Sequence, residues 1–255
     1  MLFRRVAPRV VRKAFAAGDL IEVDGRPVRL TVNPRARRIS LRLDPARREV
    51  VAIAPSIRKL ADAASFAGLR TEWIAAHLDR LPPASPFRPG AVIEVAGAPC
   101  RLEQAAMRIT PRLIPATTTE PARLLAYGEA EAYSRAVLRA LKTEALRRLT
   151  EHTALYAARL DRPCPPIAVM DAKGRWGSCR QPFGGRPAAI RYSWRLILAP
   201  ASVLDYVAAH ECAHLIEANH GSGFWALVHE LYGDHTAART WLKTHGARLH
   251  AVGQA

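Results

Sequence analysis

The sequence predicts an α+β protein: an N-terminal antiparallel β-rich region over residues 1–125, then a mostly helical half over 126–255 that carries a few short strands. Three observations predict it. Apolar residues alternate at period two around turn signals within 20–54 and 91–113. They recur at helical spacing over 57–81, 129–160 and the stretch after Pro200. A hydrophobic content of 49% in 255 residues is enough to bury a full core, in one large domain or two small ones.

The elements follow in order. LIEV and RPVRLTV flank Asp24-Gly25, a dipeptide that favours tight hairpin turns, and RRISLRL and REVVAIA flank Asp44-Pro45. Residues 20–54 are therefore expected to form an antiparallel meander. From Ile57 to Leu81, the positions Leu60, Ala64, Ala67, Trp73, Ile74 and Leu78 share a helical face. A break is expected near Gly68, and PPASPFRPG stops the segment. AVIEVAGAPCRLE alternates around Gly97, and MRITPRL offers a further strand. A long helix is expected from Glu129 to Leu160, closed by Pro163, Pro165 and Pro166. IAVMDA, RWGSC and AAIRYSWRLI read as strands. Helices are expected from near Pro200, over Phe224 to Tyr232, and over His235 to His250. No internal repeat is apparent.

Charge and cysteine usage narrow the function classes. The four cysteines form no CxxC pair and no disulfide ladder, which fits reduced thiols in a cytoplasmic protein and argues against a secreted disulfide scaffold. No apolar run approaches the roughly 18 residues of a spanning helix, and arginines interrupt the first residues too often for a signal-peptide core. The net charge is +16, unevenly spread. Residues 1–50 hold 13 basic and 5 acidic side chains, whereas 200–255 hold 3 and 5. An arginine-rich composition accounts for this without any ligand. The alternative is nucleic-acid binding through the basic N-terminal region.

The chemistry lies in His210-Glu211-Cys212-Ala213-His214, inside the helical pattern VLDYVAAHECAHLIEA. Residues four apart on a helix project about 40° from one another, so both imidazoles can meet one ion. Glu211, one step round, can exchange a proton with a water held there. A third ligand is available in His220, provided the helix stops after His214. Asn219, a residue type that tolerates the left-handed conformation, is the expected stop. Zinc suits neutral imidazoles that leave one position open. The six-residue step also occurs in metzincins, but Glu217 stands where they have Gly, and Met1, Met107 and Met170 all lie upstream of the motif.

RWGSC (Arg175 to Cys179), YSWRLILAP (Tyr192 to Pro200) and VLDYVAAHECAHLIEANHGSGFW (Val203 to Trp225) together resemble the YgjP-like family of metal-dependent hydrolases, related to SprT-like zinc peptidases. The strong similarity spans residues 175–225, and the N-terminal strands are similar more loosely. One departure is Ser193, where the family pattern has Asn. The resemblance implies a minimal zincin core, a small antiparallel sheet beside an active-site helix, with one zinc ion on His210, His214 and His220 and Glu211 as general base. It also implies hydrolysis of a peptide or another amide. An edge strand from RWGSC or AAIRYSW would pair with extended substrate, and Arg175, Trp176 and Arg195 would line the cleft.

Plainer readings stand beside these. Cys212 faces the core, and Cys179 packs and does not ligate. Trp176, Trp194 and Trp225 are core aromatics, with Phe224 and Trp225 packing the last helices against the ligand loop. His229, His235, His245 and His250 are surface or capping residues. Asp205, three after Ser202, fits a capping box. Glu217 or Glu230 could replace His220 as a ligand. Two rival functions remain: a nucleic-acid-associated zinc protease acting on DNA-bound proteins, and a non-catalytic zinc protein.

Overall fold

The structure is a computed structural model that describes residues 14–254 except positions 46 and 173, so the basic start at 1–13 lies outside it. The chain divides into two compact units, Met1–Leu81 and Pro82–Ala255. Each has its own core. The boundary expected at 125/126 falls inside a strand of the second unit.

The first unit holds β1 (Leu20–Val23), β2 (Arg26–Val32), β3 (Ser40–Asp44) and β4 (Glu49–Ala54), in the order β1-β2-β4-β3. Both predicted hairpins form, and Asp24 and Gly25 take the positive φ angles of a tight turn. The sheet is not the expected antiparallel meander, because β4 inserts beside β2 in parallel. Burial explains this: β4, EVVAIA, is buried at all but one position and needs a neighbour on each side. Val28, Leu30, Val50 and Ala52 pack against α1 (Leu60–Gly68) and α2 (Thr71–Asp79), which part just after Gly68.

The second unit opens with β5 (Val92–Val95), β6 (Ala98–Gln104), β7 (Arg112–Ile114) and β8 (Ala122–Ala126), ordered β5-β6-β8-β7. This is the topology of the first sheet. The registers Leu20↔Arg29, Val28↔Val50 and Ser40↔Ile53 recur as Val92↔Arg101, Cys100↔Ala122 and Arg112↔Leu125, each displaced by 72 residues (92 − 20, 100 − 28, 112 − 40). Aligned at that offset, Ile21, Glu22, Val23, Gly25, Pro27, Arg29 and Leu30 match Ile93, Glu94, Val95, Gly97, Pro99, Arg101 and Leu102. The chain therefore contains an internal repeat. Identity concentrates in one short hairpin, where turn and burial constraints are strongest, and fades beyond it.

Next come α3 (Ala130–Arg159) and the site sheet: β9 (Ile167–Met170), β10 (Gly177–Arg180) and β11 (Ala189–Ser193), in the order β10-β11-β9. Here too one pair, β9 with β11, is parallel where an antiparallel sheet was expected. Trp194–Leu198 leaves β11 as a tight 3-10 turn, and Ser193 caps it by accepting from the Arg195 N–H at 3.4 Å. Then follow α4 (Ala201–Ala213), α5 (Ser222–Tyr232) and α6 (Thr236–Ala251).

Two contacts fix where α4 begins and how it is turned. Gly97, at φ +82°, brings the β5–β6 turn so near Pro200 that a β-carbon there would lie 3.3 Å from the Pro200 Cα, and the Ala96 N–H donates to the Ile197 carbonyl at 2.6 Å. Asp205 is no helix cap. Its Oδ1 lies 2.7 Å from His152 Nδ1 and accepts from the Tyr156 hydroxyl at 2.8 Å, which ties α4 to α3. Thr153 adds a buried hydrogen bond to the Tyr192 hydroxyl at 2.9 Å.

Candidate metal centre

His210 and Glu211 lie in the last turn of α4, and His214 is its C-cap residue, still helical at φ −67° and ψ −11°. The i, i+4 pair is therefore preserved. The helix stops at His214, earlier than expected, and the chain reaches His220 through a turn in which Asn219 has no positive φ. The Gln181 side chain donates to the His214 carbonyl, satisfying a helix-end acceptor and joining it to the segment after β10.

Phe224, fully buried at the start of α5, organises the three histidines. Its ring centroid lies 4.9 Å from that of His210, 4.5 Å from His214 and 4.7 Å from His220. Trp225 stacks on His220 at 5.8 Å and on His235 at 5.1 Å, while His235 stacks on Tyr206 at 5.8 Å. His235 is thus wedged between aromatic rings, and His250 is buried against Trp176. His235 stands at the N-cap position of α6, within the surface or capping role expected from sequence, whereas the buried His250 departs from it, since its spacing carries no sign of which neighbours meet it.

One ligand atom from each of His210, His214 and His220 lies within 4.8 Å of the others. His210 Nε2 and His220 Nε2 face each other at 3.1 Å. Two nitrogens bound to one tetrahedral zinc are about 3.3 Å apart, so the spacing fits a shared ion. His214 donates from Nδ1 to the Glu217 carbonyl at 2.9 Å, which leaves Nε2 bare for a metal. Burial first, and the neighbouring His214 and His220 second, push the His210 pKa down to about 3. Burial also lowers that of His214. Neutral rings of this kind are the donors a divalent ion takes. Glu217 and Glu230 stand outside the cluster.

Glu211 is 5% exposed, and its Oε2 is buried with no hydrogen-bond partner among the described residues. Burial raises its pKa to about 7, opposed by the Cys179 backbone N–H and by the charge of Arg175. The carboxylate lies directly against Gly177, where a β-carbon would overlap it. This gives the glycine of RWGSC its purpose. β10 is the free edge of its sheet, whereas β11 is central, so RWGSC is the edge strand. A hollow of about 290 Å³ runs from Gly177, Ser178 and Gln181 to His210, Glu211 and His220.

The remaining expectations divide. Cys212 is buried, and Cys179 packs, its thiol pushed up to about 11 by burial. Arg175 and Trp176 line a second hollow beside His210 and Glu211. Arg195 does not line the cleft. It is buried, donates to the Leu249 and Val252 carbonyls at 3.0 and 2.7 Å, and bonds Asp171 at 3.1 Å. Those partners lie far along the chain, and pairing a buried guanidinium with them is a structural task. Gly177, Gln181, Tyr206 and Arg239 line the two hollows but were missed: Tyr206 sits one helical turn before His210 on α4, whereas only folding brings the other three to the motif.

The profile of the YgjP-like metallopeptidase domain matches residues 37–245. No curated protein and no solved structure matches the chain. The matched span covers most of the sequence and contains the whole histidine cluster, so the chain belongs to the YgjP-like metallopeptidase family.

Proposed function

We propose that the protein is a zinc-dependent hydrolase that cleaves a peptide or another amide bond, with His210, His214 and His220 holding one zinc ion and Glu211 acting first as general base and then as general acid. The observation that carries this reading is the convergence of three imidazole nitrogens within 4.8 Å beside a buried carboxylate whose Oε2 has no partner. A zinc ion bound there supplies Lewis acidity, which lowers the pKa of a water and polarises a carbonyl. Glu211 Oε2 accepts the proton of the attacking water and passes it to the leaving nitrogen. Gly177 and the Cys179 backbone N–H hold the carboxylate in place. The free edge of β10 pairs with the backbone of an extended substrate, which binds it with little demand on its side chains.

A structural zinc site normally closes all four positions with Cys and His. Among the described residues no fourth such side chain joins this cluster, which favours turnover. The test is zinc content and amide cleavage for the native protein and for Glu211→Gln. The expected result is about one zinc per chain in both, with cleavage reduced roughly 10²–10⁴-fold in the variant. Protein purified without chelator that holds no metal would defeat the reading.

A further inference from the structure

A second hollow, of about 300 Å³, shares Gly177, His210 and Glu211 with the first. Its other walls come from Arg175 and Trp176 before β10, Tyr206 on α4, and Arg239 and Leu242 on α6. We propose that this hollow is a subsite for a substrate carboxylate gripped by Arg175 and Arg239, so that the protein selects acidic peptides. The inference rests on the hydrolase reading above and names its substrate class.

The two arginines come from elements distant in sequence, yet they face one space beside the reacting centre. Ion pairs occupy some other arginines of this unit: Arg123 meets Glu103 and Glu120, and Arg147 meets Glu144 and Glu151. Arg175 and Arg239 have no carboxylate partner among the described residues, and both are exposed. The Arg239 guanidinium rests over the Trp225 ring at 4.9 Å, a cation–π contact that fixes its position without using its N–H donors. Both side chains line the hollow together with His210 and Glu211. The one acid in the wall, Glu211, is buried against Gly177, and among the described residues no ion pair joins it to either arginine.

Two like charges lining one hollow repel, and an entering carboxylate removes that repulsion while accepting from planar N–H donors. Trp176, Tyr206 and Leu242 offer apolar surface to the methylenes that carry such a group. The first hollow has no arginine in its walls. A substrate laid along β10 would therefore meet cations on only one side of His210 and Glu211.

The test is fluorescence anisotropy of labelled peptides on Glu211→Gln protein. The peptides form pairs that differ in one internal Glu or Gln with an amidated end, and neutral peptides that differ in a free or amidated C-terminus. At least one carboxylate-bearing series should bind roughly tenfold tighter than its neutral counterpart, and the series that does so separates a side-chain carboxylate from a terminal one. Adding Arg175→Ala or Arg239→Ala should shrink the difference to about twofold or less without moving the melting midpoint, since both residues are exposed. Equal affinities within every pair, an undiminished preference in the double arginine variant, or no detectable binding of any peptide would overturn the subsite. Zinc content and hydrolysis by the native protein are measured in parallel. Carboxylate preference without zinc or cleavage defeats the hydrolase reading alone, whereas cleavage indifferent to charge defeats the subsite alone.

Discussion

Gly177 and Glu211 show how one atom's absence makes room for a buried carboxylate. A β-carbon at position 177 would occupy the space of the carboxylate, so Gly177→Ala should displace Glu211 while leaving the three histidines in place. Zinc content is expected to stay near native while kcat falls roughly 10²-fold, as a misplacement of about 1 Å does. Loss of zinc along with activity would show that the strand, and not the carboxylate, had moved. Glu211 also gives the metal-free protein a pH signature. Its folded pKa, about 7, lies above the ordinary 4.5, so the folded state holds the proton more tightly than the unfolded chain. The resulting stability is full below about pH 4.5 and is lost as pH rises towards and through 7. Relative to Glu211→Gln, the native apoprotein should lose on the order of 3 kcal/mol across that window, read from denaturant midpoints at each pH. A difference that does not change with pH would contradict the buried carboxyl.

At the scale of elements, α5 does more than follow the ligand loop. It drives Phe224 under all three imidazoles and sets Trp225 against His220. Phe224→Ala should cost about 3–5 kcal/mol of stability, a fully buried ring being replaced by a cavity. Trp225→Ala should fold, since that ring is only partly buried, but weaken zinc binding roughly 10–100-fold in chelator competition. Unchanged affinity would show that the His220 ring is held by the loop alone. The helices and the break after Gly68 were legible from the spacing of apolar residues and from their stop signals, although α4 is buried on nearly every side. The parallel pairings β2 with β4, β6 with β8 and β9 with β11 were not, since alternation reports which side chains point inward and says nothing of strand direction.

For the whole molecule, the two units have separate cores, and every residue of the metal centre belongs to Pro82–Ala255. A chain of residues 82–255 should therefore melt cooperatively and bind zinc with near-native affinity. Failure to fold would mean that the first unit supplies stability the separate cores do not suggest. Both units begin with the same four-stranded arrangement, 72 residues apart. In the second, the hairpin turn meets the residues that lead into α4, through Ala96 and Gly97.

By itself the sequence determined the helix bearing His210, Glu211 and His214, the candidate third ligand His220, and the alternation of strands and helices around them. Each depends on spacing within a single element or its immediate turn, and local geometry dictates that spacing. Tertiary structure alone decided that Gly177 shelters the carboxylate, that Arg195 serves the core while Arg239 joins the site, and that the strands repeat. Those relations join residues dozens of positions apart, and burial and side-chain volume choose such partners only when the chain has closed on itself.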